Sequence, residues 1–119
     1  MATSQTTRSR ASMDQCIDNC TRCHRICLEV TAAHFRGEAA KGDEAHVRLL
    51  IDCAQICATS ADFMIRGSEL HRFTCGACAE ICDRCAEACE RVRDDTRMAA
   101  CAEVCRTCAR SCRDMAQAA

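Results

Sequence analysis

The chain is 119 residues long with a net charge of −1 and a pI near 6.4, so one modest domain is expected and nothing points to nucleic acid or an anionic membrane surface as a partner. It has no Trp, no Tyr and three Phe, too few large apolar side chains for an ordinary core, with fifteen Cys in their place. There is no Pro and there are only four Gly, which leaves long helices uninterrupted.

Residues 1–11, polar and poor in acid, are expected to be a mobile tail ahead of a single domain at 12–119. The first helix is predicted from Ser12, placed as its N-cap, to Arg36. A loop, RGEAAKGD at residues 36–43, follows, and Asp43 caps a second helix that runs to about Arg66, with Gly67 as its stop. The third helix begins between Ser68 and Thr74, either of which can cap it. DDT at residues 94–96 turns the chain into a fourth helix that ends near Met115. Short connections make sequential helices antiparallel, so the expected fold is all-α: an up-down-up-down four-helix bundle.

The cysteines fall into four groups: Cys16, Cys20, Cys23, Cys27; Cys53, Cys57; Cys75, Cys78, Cys82, Cys85, Cys89; and Cys101, Cys105, Cys108, Cys112. Every gap within a group is three or four residues, the a/d pattern of a helical heptad with Cys where Leu normally stands. The a/d positions of a bundle face its axis, so four helices would line one tube with thiols. Extending the registers places Met13, Met64, His71 and Met115 at one end, a ring of soft donors suited to be the metal entrance. Val30, Leu50, Val92 and Met98 form an apolar plug at the other end, with His34 and His46 one turn further out. Ile17, Leu28, Ile56, Ile81 and Val104 flank the stripe and join neighbouring helices; His24 falls off it and reads as a surface residue.

Cys buries less apolar area than Leu, so packing alone does not account for fifteen of them on one stripe. Thiols one helical turn apart diverge and bridge poorly, the count is odd, and the N-terminus lacks the apolar run of a secretory signal, which argues against disulfides and for a cytosolic protein. No stretch approaches the ~20 apolar residues of a membrane span. Metal remains, and thiolate selects Cu(I), Zn(II) or iron–sulfur clusters. An array strung along four helices suits neither one compact cluster nor zinc knuckles in turns. Cu(I) needs fewer ligands, and seven CxxxC pairs offer two sulfurs on adjacent turns: 16/20, 23/27, 53/57, 78/82, 85/89, 101/105 and 108/112. Bridging thiolates would bring the load towards one Cu(I) per Cys and leave the core near neutral.

The motif CxxxCxxCxxxC in the first helix, CAQIC in the second, CGACAEICDRCAEAC in the third and CAEVCRTCARSC in the fourth resemble the bacterial copper storage proteins over residues 12 to 115. The resemblance implies a four-helix bundle that stores many Cu(I) ions on its cysteines, assembles as a homotetramer and, in the kind without a signal peptide, works in the cytosol. It implies no catalysis; a copper chaperone or a small-molecule thiol would be the copper donor. Ser60 and Met64 stand where further thiols could sit, so the second helix is thin in ligands. Two other readings stay open: a metallothionein-like sink for zinc or cadmium, and a thiol oxidoreductase, for which Cys75 and Cys78 are the candidates.

Overall fold

The structure, a computed structural model, describes residues 2–38 and 44–117, with side chains from Arg10 onward. Four helices make up the fold: α1 (Ala2–Phe35), α2 (Glu44–Ile65), α3 (His71–Glu90) and α4 (Thr96–Gln117). Each packs on the next and α1 closes onto α4, while the two diagonal pairs stay apart. This is the four-helix bundle that the period of three and four predicts, and no strand occurs among the described residues.

The first helix begins earlier than expected. Residues 2–11, read from sequence as a tail, continue α1, so Ser12 is an interior residue and not its N-cap. The reason is that nothing between Ala2 and Ser12 breaks a helix: there is neither Gly nor Pro. At 34 residues α1 is about 51 Å long, and the bundle's long dimension is 52 Å. The cap expected at Asp43 lies outside the described residues.

Helix ends follow local chemistry. α1 and α2 both stop at a glycine in the left-handed region, Gly37 (φ 75°) and Gly67 (φ 68°). Behind each, two N–H groups reach back into the last turn: Gly37 to His34 and Glu38 to Ala33, then Gly67 to Met64 and Ser68 to Phe63, at 2.9 to 3.1 Å. These close the Schellman motif and satisfy carbonyls that would otherwise lack donors. The third helix starts between the two residues offered for it, and neither caps it: Leu70 holds the N-cap position without a side-chain bond, while Ser68 shapes the turn before it, its Oγ accepting from the Leu70 N–H at 3.1 Å and its carbonyl from the His71 N–H at 3.2 Å. Thr74 lies inside α3, its hydroxyl donating to the His71 carbonyl at 2.9 Å. Asp95 caps α4, accepting from the Met98 N–H at 2.9 Å, and Asp94 makes the turn at φ 58°, a conformation Asp tolerates.

The core is built from small residues. Beside the cysteines, Ala33, Ala54, Ala61, Ala79, Ala86, Ala102 and Ala109 are buried. Interaxial distance depends on the side chains at the contact, and this Cys–Ala packing lets the helices approach closely enough for sulfurs to meet across the axis. Val30, Leu50 and Met98 are buried at one end as the plug, with Val92 packed against them. Ile17, Ile56, Ile81 and Val104 flank the core as expected, but Leu28 does not: it is 43% exposed, because its register turns it outward beside α2. His24 is also corrected. It is half-buried and its Nδ1–H donates to the Ala54 carbonyl at 2.8 Å, tying α1 to α2.

On the outer face of α3 and α4, Arg106 spans Glu90 (2.8 Å) and Asp83 (3.1 Å), and Arg113 holds the other oxygen of Asp83 at 2.6 Å. Desolvation works against the Asp83 carboxylate, yet Arg113 and Arg106 outweigh it and hold its pKa below the ordinary value. The i,i+4 pairs Arg25–Glu29, Arg48–Glu44 and Arg84–Glu80 are exposed and contribute little.

Two substitutions test these ends in the reduced, metal-free protein. Asp95→Ala removes the α4 cap and is expected to lower stability by about 1 kcal/mol. Gly67→Ala meets no atom within 4 Å, so its cost, again about 1 kcal/mol, is the left-handed backbone alone. Urea unfolding followed by circular dichroism measures both; midpoints equal to the parent's would contradict the capping geometry.

Candidate metal centre

All fifteen cysteines are free thiols, and each has 0% of its surface exposed. The heptad brings each group to the axis, and the cyclic packing of the helices stacks the sulfurs in overlapping layers. At the α1 N-terminal side, Cys16, Cys75 and Cys112 form a three-sulfur group. Below it lie Cys20, Cys78, Cys108 and Cys112, then Cys57, Cys78, Cys82 and Cys108, then Cys23, Cys53, Cys57 and Cys82, then Cys23, Cys27, Cys53 and Cys105. Within each set all sulfurs lie within 4.8 Å of one another. Cys23, Cys53, Cys57, Cys78, Cys82, Cys108 and Cys112 each belong to two sets, so the layers share ligands and form one continuous column.

The expectation that CxxxC pairs along one helix are the units is only partly met. Along single helices, Cys78 and Cys82 approach to 3.7 Å and Cys108 and Cys112 to 3.9 Å. The shortest approaches cross between helices: Cys20–Cys112 at 3.4 Å, with Cys23–Cys105, Cys53–Cys82, Cys57–Cys78 and Cys20–Cys108 all at 3.6 Å. Sulfurs meet even across the diagonals, Cys23–Cys82 and Cys57–Cys108 at 3.9 Å. Small side chains around the axis make the tube this narrow. A metal–sulfur bond of about 2.3 Å in a tetrahedron sets sulfurs about 3.8 Å apart, so these spacings suit thiolate coordination without rearrangement of the helices.

Cys85, Cys89 and Cys101 continue the column towards the plug, with Cys101 3.9 Å from Cys27. Here the structure adds a residue that the sequence reading left outside the ligands: His46 is buried, and its Nε2 lies 3.5 Å from the Cys89 sulfur. At the opposite end Met64 and Met115 are buried and Met13 is half-buried against the core. His71 is half-buried there, and its Nδ1–H donates to the Ser68 carbonyl at 2.8 Å, which leaves the lone pair on Nε2. Two hydroxyls also reach the column, one at Ser60, which the sequence marks only as a gap in the thiol stripe, and one at Ser111, which it does not mark. Ser60, fully buried, is 3.2 Å from the Cys75 sulfur, and Ser111 is 3.3 Å from that of Cys16.

Each sulfur's acidity is set by its sulfur neighbours. Hydrogen bonds from Cys112 and Cys16 pull the Cys75 thiol down to about 4, and those from Cys108 and Cys112 pull Cys78 down to about 3. In the opposite direction Cys101 pushes Cys27 and Cys89 up, and Cys108 pushes Cys57 and Cys82 up. A sulfur that gives up its proton is held by neighbours that keep theirs, so the metal-free column mixes donors and acceptors and cannot be fully ionised.

These features weigh against the oxidoreductase reading. Cys75 and Cys78 have lowered pKa values, as a redox pair would, but both are wholly buried and their sulfurs belong to different layers. Thiol exchange needs an accessible thiolate next to its resolving partner.

A model of the copper storage protein family matches residues 9–117. The chain belongs to that family. Among solved structures, the Nmul_A1745 protein of Nitrosospira multiformis is 42% identical, with a TM-score of 0.81 over 89% of this chain and 95% of its own. The Cu(I)-bound copper storage protein BsCsp3 of Bacillus subtilis is 31% identical, with a TM-score of 0.77 over 88% of this chain and 98% of its own. A cytosolic copper storage protein from Streptomyces lividans, described with five coppers, is 25% identical, with a TM-score of 0.81 over 95% and 98% of the two chains. The curated relative YhjQ of Bacillus subtilis, a cysteine-rich protein, is 35% identical over 78 residues, which span 63% of this chain and just under two thirds (66%) of that one. In this member of the family the thiols are buried, clustered and shared between layers, an arrangement that suits storage of several Cu(I) ions.

Burial makes a direct prediction. In the native, reduced, metal-free protein Ellman's reagent should react slowly with nearly all fifteen thiols, and all should react at once in denaturant. Rapid native reaction of Cys75 and Cys78 would instead revive the redox reading.

Proposed function

We propose that this protein stores and sequesters Cu(I) in the cytosol, without catalysis, on thiolates that line its core. The observation that carries the reading is the shared column: fifteen buried sulfurs, twelve of them in five sets that overlap by seven ligands. All fifteen are the proposed ligands: Cys16, Cys20, Cys23, Cys27, Cys53, Cys57, Cys75, Cys78, Cys82, Cys85, Cys89, Cys101, Cys105, Cys108 and Cys112. Met13, Met64, His71 and Met115 are proposed as auxiliary soft donors at the mouth through which copper passes. Residues 12–119 are the storage domain.

Charge separates copper from zinc. A Zn(II) ion closed by four thiolates keeps a charge of −2, and several such sites stacked in a dry tube would repel one another. Cu(I) at one ion per thiolate is neutral, and bridging lets each sulfur serve two layers, which is what overlapping sets permit. The four-sulfur sets do fit a tetrahedral ion one at a time, so zinc or cadmium binding at a few of them is the second reading.

The cytosolic assignment is supported by the description of the Streptomyces lividans relative and by the reduced state that free thiols need; no helix among the described residues is long and apolar enough to cross a membrane. A homotetramer is proposed from the family resemblance. Because the ligands are sulfur, a copper chaperone or a small-molecule thiol is the fitting donor and acceptor of copper.

Titration of the reduced protein with Cu(I) against a competing chelator should saturate at ten or more equivalents and approach one per Cys, with far fewer Zn(II) taken up in parallel. Uptake of only one or two Cu(I) would overturn the storage reading, and Zn(II) uptake at equal strength and number would favour the second. Loading should also raise the unfolding temperature, since copper is bound by the native arrangement more tightly than by the unfolded chain.

A further inference from the structure

The column ends, on the side of the proposed mouth, in a layer unlike the others. Three helices supply sulfur at this level, Cys16 from α1, Cys75 from α3 and Cys112 from α4. α2 supplies an oxygen: Ser60, 0% exposed, stands in the register that would carry the fourth thiol, with its Oγ 3.2 Å from the Cys75 sulfur. A second hydroxyl supports the layer from the side. Ser111 Oγ lies 3.3 Å from the Cys16 sulfur and 3.2 Å from the Cys108 carbonyl, to which it can also donate. Its lone pair accepts from Asn19 Nδ2 at 3.1 Å, and Asn19, 94% buried, accepts in turn from Gln15 Nε2 at 3.1 Å. Asn19 thus fills a lone pair of Ser111 Oγ and leaves its single hydrogen for the Cys16 sulfur or the Cys108 carbonyl, of which a thiolate at Cys16 is the stronger acceptor, and every buried polar side-chain atom along the chain has a partner.

Resting on the copper-storage reading, we propose that Cys16, Cys75 and Cys112 form the exchange site through which Cu(I) enters and leaves the column, and that Ser60 and Ser111 are positioning residues that keep it labile. A metal-bound thiolate has no hydrogen of its own, so against it only the hydroxyl can donate. A hydrogen bond to a thiolate is charge-assisted and draws electron density away from the sulfur's bond to copper. Two of the three sulfurs in this layer have a hydroxyl placed to give such a bond, whereas the deeper sets are all sulfur. The layer also has a neighbour on one side only, so copper in it shares fewer bridging thiolates; the one it shares is Cys112, which belongs to the next set down. Copper held by three donors, two of them weakened, at the end of the column is the copper that a soft carrier can take. Copper further in moves up by way of Cys112. The ion stays Cu(I) throughout, and only its thiolate ligands change.

The test is the rate at which a Cu(I)-selective chelator in excess, bicinchoninate, removes copper from the fully loaded protein. Ser60→Ala and Ser111→Ala, each of which takes away one donor, should slow the first copper's release by about tenfold, the size of one charge-assisted hydrogen bond. Ser111→Thr, which keeps the hydroxyl, should retain the parent rate. Ser60→Cys should raise capacity by about one Cu(I) and slow release further by completing a four-sulfur layer. Val30→Ala, which trims the plug at the opposite end, should leave the rate unchanged. Release that ignores both serines, or that quickens when Val30 is trimmed, overturns the exchange site while a full copper load leaves storage standing. A parent protein that takes up only one or two Cu(I) in the same experiment overturns storage itself.

Discussion

The structure depends on one electrostatic constraint: fifteen sulfurs share a tube from which water is excluded. Ionised together without cations, they could not be held there, since desolvation of even one isolated charge is costly and mutual repulsion adds to it. Protonated, they form a network in which each thiol donates to or accepts from its neighbours, and the acidities of Cys75, Cys78, Cys27 and Cys57 diverge for that reason. A monovalent soft cation per sulfur removes the constraint at a stroke. It replaces protons one for one and keeps the column neutral, and a divalent ion in closed four-sulfur sites does not. The preference for Cu(I) is thus a property of the whole column, beyond the softness of any one ligand.

The same constraint explains the packing. A core of Cys and Ala gains less from burial than one of Leu and Phe. What it gains is a narrow axis, where sulfurs from four helices come within 3.4 to 3.9 Å of one another and sit near the spacing that coordination needs. The bundle compensates at its edges: an apolar plug of Val30, Leu50 and Met98, glycine stops after α1 and α2, the Asp95 cap, and the Asp83–Arg106–Arg113 network across α3 and α4. These contacts hold the frame from outside the column of sulfurs.

Much of this was legible in the sequence because it rests on periodicity. Gaps of three and four fixed both the helical state and the inward face, and all fifteen cysteines are where that face points. Gly67 read correctly as a stop because a left-handed C′ position favours glycine. The start of α1 was less legible, because Ser12 can cap a helix but does not force one to begin when no breaker precedes it. Which sulfurs touch depends on the relative heights of the helices, which spacing within one helix does not contain; hence the cross-helix sets came only with the structure. Ser60 was visible as a gap in the stripe and His46 as its extension, but their approaches to Cys75 and Cys89 were not, and Ser111 and His24 act off the stripe, through partners on other helices.

The central claim is that layers share sulfurs, so that stored copper is bridged and not held in isolated sites. X-ray absorption at the copper edge of the fully loaded, reduced protein tests this most directly. The account predicts a first shell dominated by sulfur together with a clear short copper–copper distance, the mark of ions joined by common thiolates. A first shell rich in nitrogen or oxygen, or a sulfur shell with no copper–copper contact at full load, would contradict it.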